Sequence, residues 1–112
     1  MPRYCLIGQV DPSRLTEYRE AHRAVWPEML RALREADWRN YSLFLRADGM
    51  LIGYAESDDL DAALERMAQS QVNTRWQAAM AKLFANEGAP DASWEIVPEV
   101  FNLDDQLRAA GI

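Results

Sequence analysis

Hydrophobic positions recur along the chain with two different periods, and the switches between them mark the elements. Tyr4 to Val10 is a short apolar run that reads as a strand, with Tyr4, Leu6 and Val10 on one parity and Cys5 and Ile7 on the other. Asp11-Pro12-Ser13 then carries turn and helix-start chemistry. From Ser13 to about Ala36 the inward positions change to helical spacing: Leu15, Tyr18, His22, Val25, Met29 and Leu33. Pro27 falls inside this run. Proline lacks a backbone donor and clashes with the preceding turn, so the segment is either one kinked helix or two, the second starting at the proline. Trp38 to Arg46 returns to alternation, with Tyr41, Leu43 and Leu45 on one side. Asp48-Gly49 is a hairpin signal, and Met50 to Glu56 is the returning strand. Asp58-Asp59 starts a helix to about Gln69, and a further helical segment, roughly Asn73 to Phe84, carries the stripe Val72, Trp76, Met80 and Leu83. Asn86 to Ser93, with Gly88 and Pro90, reads as a loop, and Trp94 to Phe101 as the last strand. The segment 104–112, Asp104 to Ile112, is a polar tail or short helix beyond a single domain spanning 1–103.

Strand, helix, strand, strand, helix, strand is the order of the ferredoxin-like βαββαβ unit, an α+β fold with a four-stranded antiparallel sheet. Its helices cover only one face of the sheet. Strand one is nevertheless apolar on both parities, and so is strand four, with Trp94 and Ile96 against Val97 and Phe101. A bare apolar sheet face is a liability in water. The pattern therefore predicts a homodimer packed through the open sheet face, a dimeric α+β barrel.

Composition narrows the chemistry. The 112 residues fit one domain, and the net charge is −6 with the basic residues scattered among acids. No basic patch offers a footprint for nucleic acid or an anionic membrane, and no apolar stretch approaches a membrane span. Cys5 is the only cysteine, so no intramolecular disulfide forms and the composition fits a reducing, cytoplasmic setting. The sequence contains no G-x-S-x-G, no phosphate-binding G-x-x-x-x-G-K-[ST] and no G-x-G-x-x-G. One histidine and one cysteine give little support for a metal site, so none is expected.

His22, the sole histidine, is the candidate acid–base group, because an ordinary imidazole titrates near pH ~6.5. Tyr18 and Trp26 lie four residues to either side, so a continuous helix would put phenol, imidazole and indole on one face. Such a grouping suits a small polyol: rings stack on its C–H faces while the imidazole moves a proton. The same stripe would serve equally as core. Tyr41 at the start of strand two, and Trp76 beside Gln77 on the late helix, are further candidates with the same two interpretations.

The run Glu17-Tyr18-Arg19-Glu20-Ala21-His22, followed by Val25-Trp26-Pro27-Glu28-Met29, resembles the helix-one signature of the L-rhamnose mutarotases. The resemblance continues through Asn40-Tyr41-Ser42-Leu43, Arg75-Trp76 and Glu99-Val100-Phe101, and covers about residues 3 to 103. It implies a dimeric α+β barrel that interconverts the α and β anomers of a 6-deoxyhexose without a cofactor. It further implies that His22 is the proton donor, that Tyr18 and Tyr41 contact the sugar, and that Trp76 is the first of a sugar-contacting pair. The second of that pair is usually Trp; here Gln77 exchanges a stacking surface for an amide that hydrogen-bonds hydroxyls. L-fucose is accordingly an alternative to L-rhamnose as substrate. Cofactor-free oxygenases and small-ligand-binding modules use the same barrel, and fold alone does not separate them.

Overall fold

A computed structural model describes residues 1–85 and 94–112; the expected loop at Asn86–Ser93 lies outside the described residues. Strands β1 (Arg3–Gln9), β2 (Arg39–Leu45), β3 (Met50–Glu56) and β4 (Glu95–Val97) form one antiparallel sheet in the order β2-β3-β1-β4. Each helical position of the βαββαβ unit is filled by two helices. Helices α1 (Leu15–Ala21) and α2 (Pro27–Glu35) follow β1, and α3 (Leu60–Ala68) and α4 (Gln71–Met80) follow β3. Helix α5 (Leu103–Ala110) closes the chain. The ferredoxin-like α+β architecture expected from the order of elements is the one observed.

Local chemistry explains most boundaries. Asp11 caps the first helical turn by accepting from the Ser13 amide at 2.9 Å. Asp59 and Ser70 cap α3 and α4, accepting from the amides of Ala62 and Asn73. Asn102 does the same for α5, and Gly111 ends it in the left-handed region. The C-terminal segment is therefore a short helix, tied to β1 where the Arg3 guanidinium meets the carboxylates of Glu99 and Asp105. Of the two arrangements open at Pro27, the second holds: α1 stops at Ala21 and the proline is the first residue of α2.

The last strand is much shorter than Trp94–Phe101. Only Glu95, Ile96 and Val97 pair with β1, opposite Ile7, Leu6 and Cys5. Pro98 has no amide to continue the ladder, and Phe101 lies outside the sheet, well exposed. The late helix also starts two residues earlier than predicted, at the Ser70 cap, and tightens into a 3-10 turn over Ala81–Leu83.

The core lies between the sheet and α1–α4. Leu6, Val10, Leu51 and Ala55 point inward, fully buried, against Tyr18, Met29, Leu60, Ala63, Met67, Trp76 and Leu83. The opposite face of the sheet carries Cys5, Ile7, Phe44, Ile52 and Tyr54, none of which belongs to the core cluster among the described residues. Phe44 is 57% exposed there.

One backbone feature aims a side chain at the cavity described below, and a second tightens the neighbouring hairpin. Between Arg39 and Ser42 the register to β3 shifts: these residues pair with Glu56 and Tyr54, so β2 holds one extra residue. Asn40 absorbs it with φ +46°, a left-handed conformation that asparagine tolerates better than most residues. Its side chain turns to the open face and donates to Glu56 Oε2 at 2.9 Å. The bulge leaves Tyr41 in phase with Leu43 and Leu45, facing the helices. At the β2–β3 hairpin, Gly49 has φ +91°, and a Cβ there would lie 2.3 Å from the Val10 carbonyl oxygen.

Candidate active site

A cavity of about 460 Å³ opens between the helices and the inner face of β2, a volume suited to a small molecule. His22, Tyr18, Tyr41, Trp76 and Gln77 all line it. Five of the six candidates are thus brought together from three elements, α1 with its C-cap, β2 and α4. Trp26 is not among the lining residues.

His22 sits where α1 ends. Its backbone amide already bonds the carbonyls of Tyr18 and Arg19, and its backbone has left the helical region at φ −97°, ψ 0°. Nδ1 lies 2.9 Å from the Tyr18 carbonyl oxygen. A carbonyl only accepts, so Nδ1 carries the hydrogen and donates. In the neutral ring this leaves the lone pair on Nε2. Burial pushes the imidazole pKa below its ordinary value, outweighing the opposing pull of the Tyr18 carbonyl. At neutral pH the resting group is therefore a neutral imidazole.

The ring is clamped by aromatics. Tyr18 stacks on it with centroids 4.1 Å apart and planes 25° from parallel. Trp76 meets it edge-on at 5.4 Å, and Phe84 supports Tyr18 edge-on at 5.8 Å. Burial drives the Tyr18 phenol pKa far up, so it stays protonated. The phenol makes no hydrogen bond among the described residues, yet no buried side-chain polar atom there is left without a partner. Its hydroxyl is consequently open to the cavity.

Trp26 does not share a helical face with His22, because the helix breaks between them. A residue before proline is pushed to extended backbone, and Trp26 sits at φ −52°, ψ 132° as the residue before α2. It reaches the cluster indirectly, packing edge-on against Trp76 at 5.0 Å, and is 37% exposed. Its position makes it a support for Trp76 rather than a wall of the cavity.

Tyr41 is held from β2 by Trp38, whose ring centroid lies 4.8 Å away and whose indole N–H reaches the Ala63 carbonyl oxygen at 3.4 Å. On α4, the cavity wall consists of Asn73, Trp76, Gln77 and Met80. Sequence reasoning missed Asn73. Its signal was present: 73, 76, 77 and 80 are one helical face, and an asparagine on a buried face is a polar group with a task. Trp38, Trp94 and Arg34 also line the cavity and were not singled out. Among the described residues, no group of three or more His, Cys, Asp or Glu side chains could hold a metal ion, and no helix is long and apolar enough to cross a membrane.

The family model for L-rhamnose mutarotase matches residues 3–103, nearly the whole chain. The chain belongs to the L-rhamnose mutarotase family. An L-rhamnose mutarotase of Ligilactobacillus salivarius is 36% identical, over 88% of this chain and 94% of that one. A second, from Oceanobacillus iheyensis, is 30% identical over 93% of this chain and all of the other. In three dimensions the chain is similar to the L-rhamnose mutarotase FA22100 of Formosa agariphila, with TM-score 0.75, 21% identity and coverage of 92% and 99% of the two chains. At that identity the likeness establishes the fold alone. The family match ends at 103, where α5 begins.

Proposed function

We propose that this chain is an L-rhamnose mutarotase in which His22 moves the proton that opens and recloses the sugar ring. The observation that carries this is a neutral imidazole, its Nδ1–H fixed on the Tyr18 carbonyl, at the wall of a sugar-sized cavity in a chain of this family. The two oxygens that exchange a proton, the anomeric hydroxyl and the ring oxygen, sit on the same carbon. One nitrogen can serve both in turn. Nε2 takes the proton of the anomeric hydroxyl as the bond from C1 to the ring oxygen breaks. The imidazolium then delivers it to the departing oxygen, leaving the open-chain aldehyde and a neutral ring. Rotation about C1–C2 presents the other carbonyl face. Reclosure runs the same transfers backwards and gives the opposite anomer. His22 thus acts as the acid toward the ring oxygen by first acting as base. Such positioned proton transfer contributes about 10²–10⁴-fold, ample for a reaction that also proceeds slowly in water.

In this scheme Tyr18 orients the imidazole by stacking and offers its phenol to a sugar hydroxyl. Tyr41, Trp76 and Gln77 bind the sugar, and Trp26 braces Trp76. We further propose that the open sheet face, with Ile7, Phe44 and Ile52 in one row, packs against a second copy to form the homodimeric barrel, and that the reaction is cytoplasmic. Saturation-transfer NMR on L-rhamnose and L-fucose near neutral pH tests the function. Faster exchange between anomers with added protein, greater for L-rhamnose, is expected. No acceleration with either sugar rejects the proposal.

A further inference from the structure

Three tryptophans line the cavity, and two of them are already engaged. Trp38 packs its ring on Tyr41 and gives its indole N–H to the Ala63 carbonyl oxygen, and Trp76 makes edge-on contacts with both His22 and Trp26. Trp94 has neither kind of tie. Among the described residues its indole makes no ring pair and its Nε1–H no hydrogen bond, and no side-chain nitrogen or oxygen there is both buried and without a partner. The N–H, which can only donate, is therefore within reach of a ligand. The seat of the ring is set by the sheet. The register of β4 on β1, Leu6 opposite Ile96 and Ile7 opposite Glu95, continues by one residue to put Trp94 across from Gly8. The Cε3–Cζ3 edge of the indole lies over that glycine: a Cβ on Gly8 would stand 3.2 Å from Cζ3 and 3.5 Å from Cε3. Leu51 borders the same spot, 3.8 Å from that Cβ. A strand glycine facing a cross-strand aromatic lets the ring settle close to the backbone. Half-buried on this seat, the ring presents surface to the cavity.

We propose that Trp94 is a further sugar-binding residue: an apolar wall on the sheet side of the cavity, against which the C–H groups of the pyranose pack while the indole N–H donates to one hydroxyl. Trp76 stands on α4 and Trp94 leads into β4, so a helix and the sheet each bring an indole to one cavity. A 6-deoxyhexose, with a methyl in place of a hydroxymethyl group, has the larger apolar surface to offer such a wall. The C–H groups take no part in the proton transfers. Their contact therefore holds the ground state and the transition state alike, and its loss costs binding rather than chemistry. The inference rests on the mutarotase function proposed above.

Fluorine NMR on the otherwise unaltered chain tests it. The four tryptophans are replaced by 5-fluorotryptophan, and the Trp94 and Trp76 signals are assigned by their absence from Trp94→Phe and Trp76→Phe. On titration with L-rhamnose the two signals should move together, with one midpoint. Movement of the Trp76 signal while that of Trp94 stays still overturns the proposal and leaves the sugar site standing. If no tryptophan signal moves, the chain binds no L-rhamnose there, and the proposal falls with the mutarotase function. If both signals move but the wild type exchanges no anomers, the mutarotase function fails while Trp94 keeps its binding role. Exchange kinetics supply the second readout. Trp94→Leu should raise KM about tenfold with kcat within about twofold of wild type, and Trp94→Phe, which keeps an aromatic wall, should raise KM only about threefold. A KM within about twofold of wild type in Trp94→Leu, or a loss in kcat as large as the rise in KM, overturns the proposal. Should Trp94→Leu fail to fold, the fluorine titration of the wild type decides alone.

Discussion

The two faces of the sheet are built from the same strands, and alternate residues send them in different directions. Leu51 and Ile52 are neighbours on β3; Leu51 is fully buried under the helices, while Ile52 lies on the open face between Ile7 and Phe44. The covered face supplies concavity. Helices laid on a twisted sheet leave a space at one end, and that space holds the imidazole, the rings and the α4 amides. On the open face Phe44, Ile52 and Ile7 form an apolar row across three strands, which ends at Glu95 on β4. In the scheme proposed above, one face carries chemistry and the other carries assembly, and substitutions should separate the two.

The largest expected effect is on the covered face. His22→Ala should fold and lose about 10²–10⁴-fold in exchange rate on L-rhamnose, measured by saturation transfer. Wild-type rates in that variant would remove His22 from the mechanism. Next comes the neighbouring pair. Leu51→Ala opens a cavity in the core and should cost about 2–5 kcal/mol in chemical denaturation. Ile52→Ala should instead give a loss that depends on protein concentration, because its burial belongs to the dimer. A concentration-independent loss as large as that of Leu51→Ala would mean that the open face is part of the monomer's own core. Phe44→Glu places a charge in the centre of the open face and should convert dimer to monomer in analytical ultracentrifugation. A wild-type protein that already sediments as a monomer contradicts the assembly role.

The smallest effect is on stability near neutral pH. The folded His22 pKa lies below its unfolded value, so below about pH 6.5 the unfolded chain takes up a proton that the folded chain does not. Stability should therefore fall as pH drops from about 6.5 toward the lower folded pKa, and His22→Gln should flatten that slope in a pH series of thermal melts. An unchanged slope would show that other groups set it.

The sheet and its helices were legible because each depends on local chemistry: alternation in β1 and β3, Asp48-Gly49 at the hairpin, the caps at Asp11 and Asp59. Two features were not. The length of β4 is decided by Pro98, whose missing amide matters only when a partner strand is known. The relation of Trp26 to His22 depends on whether Pro27 kinks a helix or starts one, which spacing leaves open. The site was legible through its aromatic and histidine positions, since these are rare residues at helical intervals. Asn73 was missed although its place on the face of 73, 76, 77 and 80 was readable, because the Met67 carbonyl that its amide bonds has no sequence signal. Tyr41 was read correctly as a strand residue, but the bulge at Asn40 that keeps it inward became visible only in the pairing register.

The central claim is that His22 works from its neutral form inside the cavity. The pH dependence of kcat/KM for anomer exchange on L-rhamnose tests it most directly, because that profile reports the ionisation of the free enzyme. The account predicts full activity at neutral pH and a single acid limb with its midpoint below about 6.5, the ordinary value for histidine. A profile that is flat through that range, or whose activity rises as His22 becomes protonated, would contradict it.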